Sequence, residues 1–565
     1  MTGTAAGARR WTDGWPAPAL VAATAAAVFA RSLGGGFVWD DHVSVTGNPT
    51  VTAPGAWMKP LTDGAASDPF GFVRPLRTLD FKLDHALFGA DPLAFHVHSL
   101  LWHVAAAVLL LLVLRRVLGD GRAALVAAMF WAVHPAQVES VAWISCRGDA
   151  AMGACVLAAI LFALRSDGRD RNLAASLAFA AAAPLYKETA VALWIVVAVM
   201  KWTRLSRAPV WPYVAVAAAY FVYRNGVAVA PFRHIDSFVL GGSVPGTFAT
   251  MTRGFGFYLA ETFLPAQSLD WYLSPSTSFA DAAVLAWIGV HAAIVAAALA
   301  LRRRAPVVTL AVAWFYAFLL PVANWPVLLD APTTERYLYL PLGGAALVLG
   351  WAACRSRGVT PAAVVIVTAF AAQSVSRQAM WRSDDTLWDA VRADHDSPRA
   401  CDHFAKELRS RALRADPSRA RKLLEESLDD AHRAIDLWCA FEGTDHERNK
   451  RARDAELTAS NVCHRLGRDQ EALFHANEAI RIDETADELG YYDRALALLE
   501  LAYPSEAYLA MRRALEIRPA RAGKETDAFF ARADEKAFPF SAHGGVPVEA
   551  VEIGCPARRG PPPAK

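Results

Sequence analysis

Two adjacent carboxylates, Asp40 and Asp41, stand in the stretch FVWDDHVSVTGNP (residues 37–49), directly after an apolar run, PALVAATAAAVFARSLGGG, long enough to enter a bilayer. Ionised side chains near hydrocarbon are costly, so such a pair either rests in interfacial water or faces a cavity as a catalytic or metal site. The pair alone leaves both readings open. Further charged residues lie close to the ends of other apolar runs: Arg74, Glu139, Arg147, Asp149, Lys187, Glu188, Arg233, Glu335 and Arg336. Carboxylates mixed with a few fixed cations suit chemistry on an anionic substrate.

The elements that must position these groups are membrane helices. Of 565 residues 54% are hydrophobic and 18 are Trp, too apolar a composition for an ordinary soluble protein. Runs of roughly 20 apolar residues cross a bilayer. Candidate spans are 16–33, 95–114, 122–138, 148–164, 172–186, 188–202, 209–229, 283–301, 307–326, 336–353 and 360–377. No AxA-type cleavage site follows the first, which reads as a retained helix. With Arg9 and Arg10 in the cytoplasm, eleven crossings bring Arg115/Arg116, Arg165–Arg171, Lys201–Arg207, Arg302–Arg304 and Arg355/Arg357 to that same side. The scheme requires residues 249–268 to be interfacial or re-entrant. It gathers the loop 34–94, HPAQVESVAWISCRGD (134–149), YKET (186–189), PFRHID (231–236) and PTTERYLYLP (332–341) on the opposite face. The seven cysteines show neither CxxC nor CxxH spacing, so neither a zinc site nor a disulfide framework is indicated. His96, His98 and His103 read as helix packing rather than metal ligands, since only His96 and His103 share a helical face.

Six segments in series carry a resemblance: FVWDDHVSVTGNPTV, VRPLRTLDFKLDHALFGADPLAFHVHSLLWH, FWAVHPAQVESVAWISCRGDA, YKETAV, TTERYLYLPLGG and WRSDDTLWDAV. Together they resemble the transmembrane and tetratricopeptide-repeat O-mannosyltransferase-like family, within the GT-C superfamily of membrane glycosyltransferases. The resemblance covers most of residues 35–520. It implies transfer of a sugar, mannose by the family's name, from a polyprenyl-phosphate carrier to an acceptor on the non-cytoplasmic side. It also places Asp40 and Asp41 at the family's acidic motif in the first external loop.

Glycosyl transfer to a hydroxyl needs a base for the acceptor proton and groups that stabilise charge growing on the departing phosphate. Asp supplies the base. Asp41 is the preferred candidate over Asp40, because in an extended local backbone the two side chains diverge and only one can face the reacting centre. An adjacent acid can raise its neighbour's pKa, orient it, or help hold a divalent cation such as Mg²⁺ or Mn²⁺ on Asp40 and Asp41. Arg336, Arg74, Lys187 and Arg233 are the candidates for the carrier phosphate, Arg for its fixed fork of donors and Lys for its compact charge. Against this, Arg336 can pair with Glu335 or snorkel at the interface. Glu335, Glu188, His134, Glu139 and Arg147 support them, although His134-Pro135 also reads as a helix end.

Beyond residue 380 the chain turns polar and amphipathic. Ala472 aligns over Ala507 and Ala479 over Ala514, a period resembling degenerate tetratricopeptide repeats, with Pro519 closing the second unit. The expected architecture is all-α: a polytopic membrane helix bundle over 1–380, a soluble α-solenoid of repeats over 381–535, and a largely disordered tail over 536–565. The odd crossing number puts the repeats outside the cytoplasm of an inner-membrane protein, where they suit acceptor protein or peptide recruitment. Donor lipid, acceptor and membrane lipids are the expected partners, with no nucleic acid. The alternative is a non-enzymatic membrane scaffold that anchors the repeats.

Overall fold

The computed structural model describes residues 14–227, 243–266, 276, 278–324, 333–356, 358–394, 398–440, 445–482, 488–519 and 523–537; Arg233 lies outside these. Among the described residues the regular structure is helical throughout, with no strand. Two compact units divide the chain, one ending at Leu387 and the other beginning at Trp388.

In the first unit, the apolar runs fold into helices Pro16–Phe29, Pro92–Leu118, Gly121–Ala132, Arg147–Arg165, Arg171–Tyr186, Leu193–Trp202, Trp211–Val227, Ala282–Leu301, Pro306–Leu319, Leu342–Arg355 and Val359–Arg377. Among the described residues five helical stretches are long and apolar enough to cross a membrane: Pro16–Gly34, Pro92–Leu118, Ile144–Arg165, Ala282–Leu301 and Val359–Arg382. Three shorter apolar helices accompany them, and the chain is a membrane protein. The segment 249–268, expected to be interfacial or re-entrant, overlaps a further helix, Val244–Glu261.

Local chemistry sets the boundaries. Asp91 accepts a hydrogen bond from the Leu93 N–H at 3.0 Å and Pro92 occupies the first turn, where its missing donor costs nothing. That helix ends at Gly119, whose φ of +66° is the left-handed conformation glycine adopts without strain. Asp120 then caps the next helix through the Arg122 and Ala123 N–H groups at 2.9 and 3.1 Å.

The helix Arg147–Arg165 lies at the centre, buried along almost its whole length against Pro92–Leu118 and Arg171–Tyr186. Its small residues let neighbours approach closely. A Cβ on Gly153 would come within 2.5 Å of the Tyr339 ring, so only glycine admits that tyrosine. By contrast, Ala282–Leu301 exposes Leu285, Ile288, Val295 and Leu299, and Val359–Arg377 exposes Val364, Val365 and Ile366. Apolar side chains left on the outside of such helices face lipid.

In the second unit, helices Pro398–Ala412, Pro417–Ala440, Asp445–Arg465, Asp469–Ile482, Glu488–Glu500, Pro504–Ile517 and Lys524–Ala537 each pack on the next in chain order. The four alanines of the repeat pattern, Ala472, Ala479, Ala507 and Ala514, are fully buried. Small residues there allow close helix approach.

Candidate active site

The stretch 134–149 is the spine of the site. Pro135 breaks the preceding helix, and His134 closes the end: its Nδ1 accepts from the Ala136 N–H at 3.2 Å and its Nε2 lies 3.2 Å from the Thr262 carbonyl. The chain continues through a short helix, Val138–Ala142, and one 3₁₀ turn, Ile144–Cys146, into the central helix. From this spine five side chains reach five distant segments.

Glu139 accepts from the Arg336 backbone N–H at 2.9 Å and pairs with its guanidinium. Trp143 stacks on Trp39, with ring centroids 4.8 Å apart and planes 3° from parallel, and on Trp381 at 5.2 Å. Ser145 donates its N–H at 2.7 Å and its hydroxyl at 2.5 Å to the same Asp41 oxygen. Arg147 reaches Asp84 at 2.5 Å and the Phe95 carbonyl at 2.7 Å. Asp149 accepts two contacts from Lys187 Nζ, at 2.6 and 2.7 Å. A further pair, Arg74 with Glu188, spans 2.6 and 2.9 Å. Tyr337 lies between two cations, its ring 5.2 Å from Arg336 and 5.3 Å from Lys187.

Arg336 therefore pairs with Glu139 and not with its neighbour Glu335, which turns away to Arg377 at 2.8 Å. Arg74, Lys187, Arg336 and Arg147 each have a carboxylate partner. Arg336 and Arg74 keep 17% and 13% of their side chains exposed against 6% for Lys187, so the two arginines are the more exposed of these cations. Arginine's five donors leave some unused by one carboxylate.

The acid pair is not extended. Trp39 has a left-handed φ of +51°, and the chain then coils into a π-helical turn, His42–Thr46. The two acids therefore sit in different surroundings. Asp41 is fully buried and accepts three hydrogen bonds, the third from the Val38 N–H at 3.1 Å, whereas Asp40 is partly exposed. Protons of N–H and O–H groups crowd the Asp41 oxygens, and among the described residues no group of three His, Cys, Asp or Glu side chains is placed to hold a metal ion. No step below is routed through a divalent cation.

Burial pushes the Asp41 carboxyl up from 3.8 to about 7, against the lowering effect of the Ser145 and Val38 donors. A folded-state pKa above the ordinary value contributes stability that is fully present below about pH 4 and is lost as pH rises through about 7. The melting-temperature advantage of the wild type over Asp41→Asn, which cannot ionise, is therefore expected to shrink between pH 5 and pH 8 in detergent. A difference that stays flat across that range would refute the assignment.

Sequence reasoning passed over Ser145, Trp143, Asp84 and Asp384. All four lie within the segments that carry the resemblance, but nothing in their spacing marks their partners: Asp41 for Ser145, Trp39 for Trp143 and for Asp384, and Arg147 for Asp84.

Residues 78–224 match the family model described as dolichyl-phosphate-mannose-protein mannosyltransferase. Protein O-mannosyl-transferase Tmtc2 of Drosophila melanogaster is 34% identical over 189 residues, which are 30% of this chain and 20% of the relative. Protein O-mannosyl-transferase Tmtc1 of the same organism is 35% identical over 181 residues, covering 30% and 21%. Human protein O-mannosyl-transferase TMTC1 is 33% identical over 169 residues, covering 28% and 18%. The chain thus spans about a fifth of the length of these relatives. No solved structure matches.

Proposed function

We propose that this chain, whose membrane unit is similar to the transmembrane and tetratricopeptide-repeat O-mannosyltransferase-like family, is a membrane glycosyltransferase that moves a sugar from a polyprenyl-phosphate carrier to a protein hydroxyl. The observation that carries this reading is the convergence of the acid loop and Arg336 on one short spine, with Arg74 paired to Glu188 next to the Lys187 that the spine's Asp149 holds. The sugar is mannose, after the names of these relatives.

Asp40, the partly exposed acid, takes the acceptor proton, and the enclosed Asp41 fixes the loop by holding Ser145 and Val38. The acceptor oxygen attacks the anomeric carbon as the carbon–oxygen bond to the phosphate breaks, and a single displacement inverts that centre. Arg336 and Arg74 neutralise the charge gathering on the departing phosphate. Lys187, sealed by Asp149, and the partners Glu139 and Glu188 hold these cations in place. The chemistry occurs on the extracytoplasmic face of an inner membrane, with eleven crossings. The second unit, read as tetratricopeptide-like repeats, recruits the acceptor there.

The rival, a non-enzymatic membrane scaffold, draws on the internal pairing of the site's cations, since a bundle stabilised by buried ion pairs needs no substrate. Incubation of the purified chain with polyprenyl-phosphate mannose separates the two. Transfer to a Ser/Thr peptide, or slow donor hydrolysis without one, is expected. Failure of both across mannose and glucose donors, in protein that melts cooperatively, favours the scaffold.

A further inference from the structure

The segment that follows the last membrane helix is fastened to the acid loop along its length. Gln378 accepts from the Ser32 N–H at 2.9 Å and donates to the Val28 carbonyl at 2.8 Å. The Arg382 carbonyl accepts from the Gly36 N–H at 2.9 Å. Trp381 stacks beneath Trp143, which stacks beneath Trp39. Asp384 completes the series with both carboxylate oxygens: Oδ1 accepts from the Trp39 N–H at 2.7 Å, and Oδ2 meets His42 Nε2 at 2.7 Å.

Asp384 thus grips the chain on either side of Asp40 and Asp41. The grip falls where it is needed. Trp39 holds a left-handed backbone conformation, which strains a bulky residue and persists only where the surroundings over-determine it. An acceptor for the Trp39 N–H, a stacked ring on its side chain, and a second contact at His42 supply that constraint. Without them the peptide at Trp39 would relax toward negative φ and swing the Asp40 carboxylate away from its present direction. From outside the loop, then, one residue sets the aim of the residue assigned as base.

We infer that Asp384 is a positioning residue for the acid loop, holding Trp39 in its left-handed conformation so that Asp40 faces the acceptor. The inference rests on the proposed transferase reading for its kinetic consequence, but the latch itself is a conformational claim with its own readout. Asp384→Ala removes both contacts, while Asp384→Asn keeps an oxygen for the Trp39 N–H and loses the charge facing His42.

The test uses the full chain in detergent. Near-ultraviolet circular dichroism reads the stacked tryptophans through the band that Trp143→Phe removes, and steady-state transfer from polyprenyl-phosphate mannose reads the base. For Asp384→Ala the band is expected to collapse, with kcat falling about 100-fold, the scale of an ångström of misplacement, and the donor KM changing less than about threefold. Asp384→Asn is expected to keep the band and stay within about tenfold of wild-type kcat, and it keeps the test usable if the alanine variant does not fold. A band unchanged in Asp384→Ala, a collapsed band with wild-type kcat, or an Asn variant as impaired as the alanine one would each overturn the assignment. Should the wild type transfer no sugar, the dichroism still decides whether Asp384 holds Trp39, so failure of the latch and failure of the transferase reading are told apart.

Discussion

Asp40→Asn is expected to leave a folded chain that binds donor and transfers sugar at least about 100-fold more slowly, because the amide keeps the shape of the side chain and cannot take the acceptor proton. Asp41→Asn is expected to act differently. Asparagine offers one carbonyl oxygen and an NH₂ that cannot accept from the Val38 or Ser145 donors, so this variant loses thermal stability and transfers less well as the loop loosens. The two are separated by comparing melting temperature with kcat. Loss of kcat alone marks the base, and loss of both marks the clamp. If Asp41→Asn abolishes transfer in a protein of wild-type stability while Asp40→Asn is active, the roles are the reverse of those assigned here. Full transfer by both variants would leave the acid pair without a chemical role.

Arg336→Ala is the second large effect. Two losses add in this variant. The departing phosphate loses a charge-assisted contact, worth roughly 2–4 kcal/mol or about 30- to 1000-fold in rate. Glu139, buried on the spine, loses its cation, and breaking a buried pair from one side costs about 3–5 kcal/mol of stability. The double variant Arg336→Ala/Glu139→Gln restores the second loss and not the first. Its melting temperature is therefore expected to recover toward wild type while its rate does not. Arg302→Ala, at an exposed arginine on the side assigned to the cytoplasm, is the control and is expected to match wild type. Recovery of rate together with stability in the double variant would show that Arg336 serves only the fold.

Much of the helical framework is legible in the residues, because local rules govern it. Apolar runs bounded by Asp-Pro or Gly-Asp announce helices such as Pro92–Leu118 and Gly121–Ala132 with their caps. The small-residue period in the second unit likewise points to the buried positions Ala472 and Ala507. The site is legible as a set of residue types and not as a set of pairs. Arg336 has a carboxylate beside it in sequence at Glu335, yet finds Glu139, 197 residues away. Pairing across such separations follows from tertiary packing, on which local spacing carries no information. The ranking of the two acids was argued from an extended backbone, whereas the left-handed Trp39 is held by Asp384 and Trp143, both distant in the chain.

The turn at Gly119 and Asp120 bears on how the protein sits in the bilayer. Two residues cannot bridge roughly 30 Å of hydrocarbon, so the end of Pro92–Leu118 and the start of Gly121–Ala132 must rest on the same side. Arg115, Arg116 and Arg122 cluster at that joint, and carrying each guanidinium through the bilayer centre costs at least about 2.5–3.5 kcal/mol. The joint therefore stays on one side of the bilayer with its basic side chains. Local sequence sets that placement, independently of the long-range ion pairs that assemble the site.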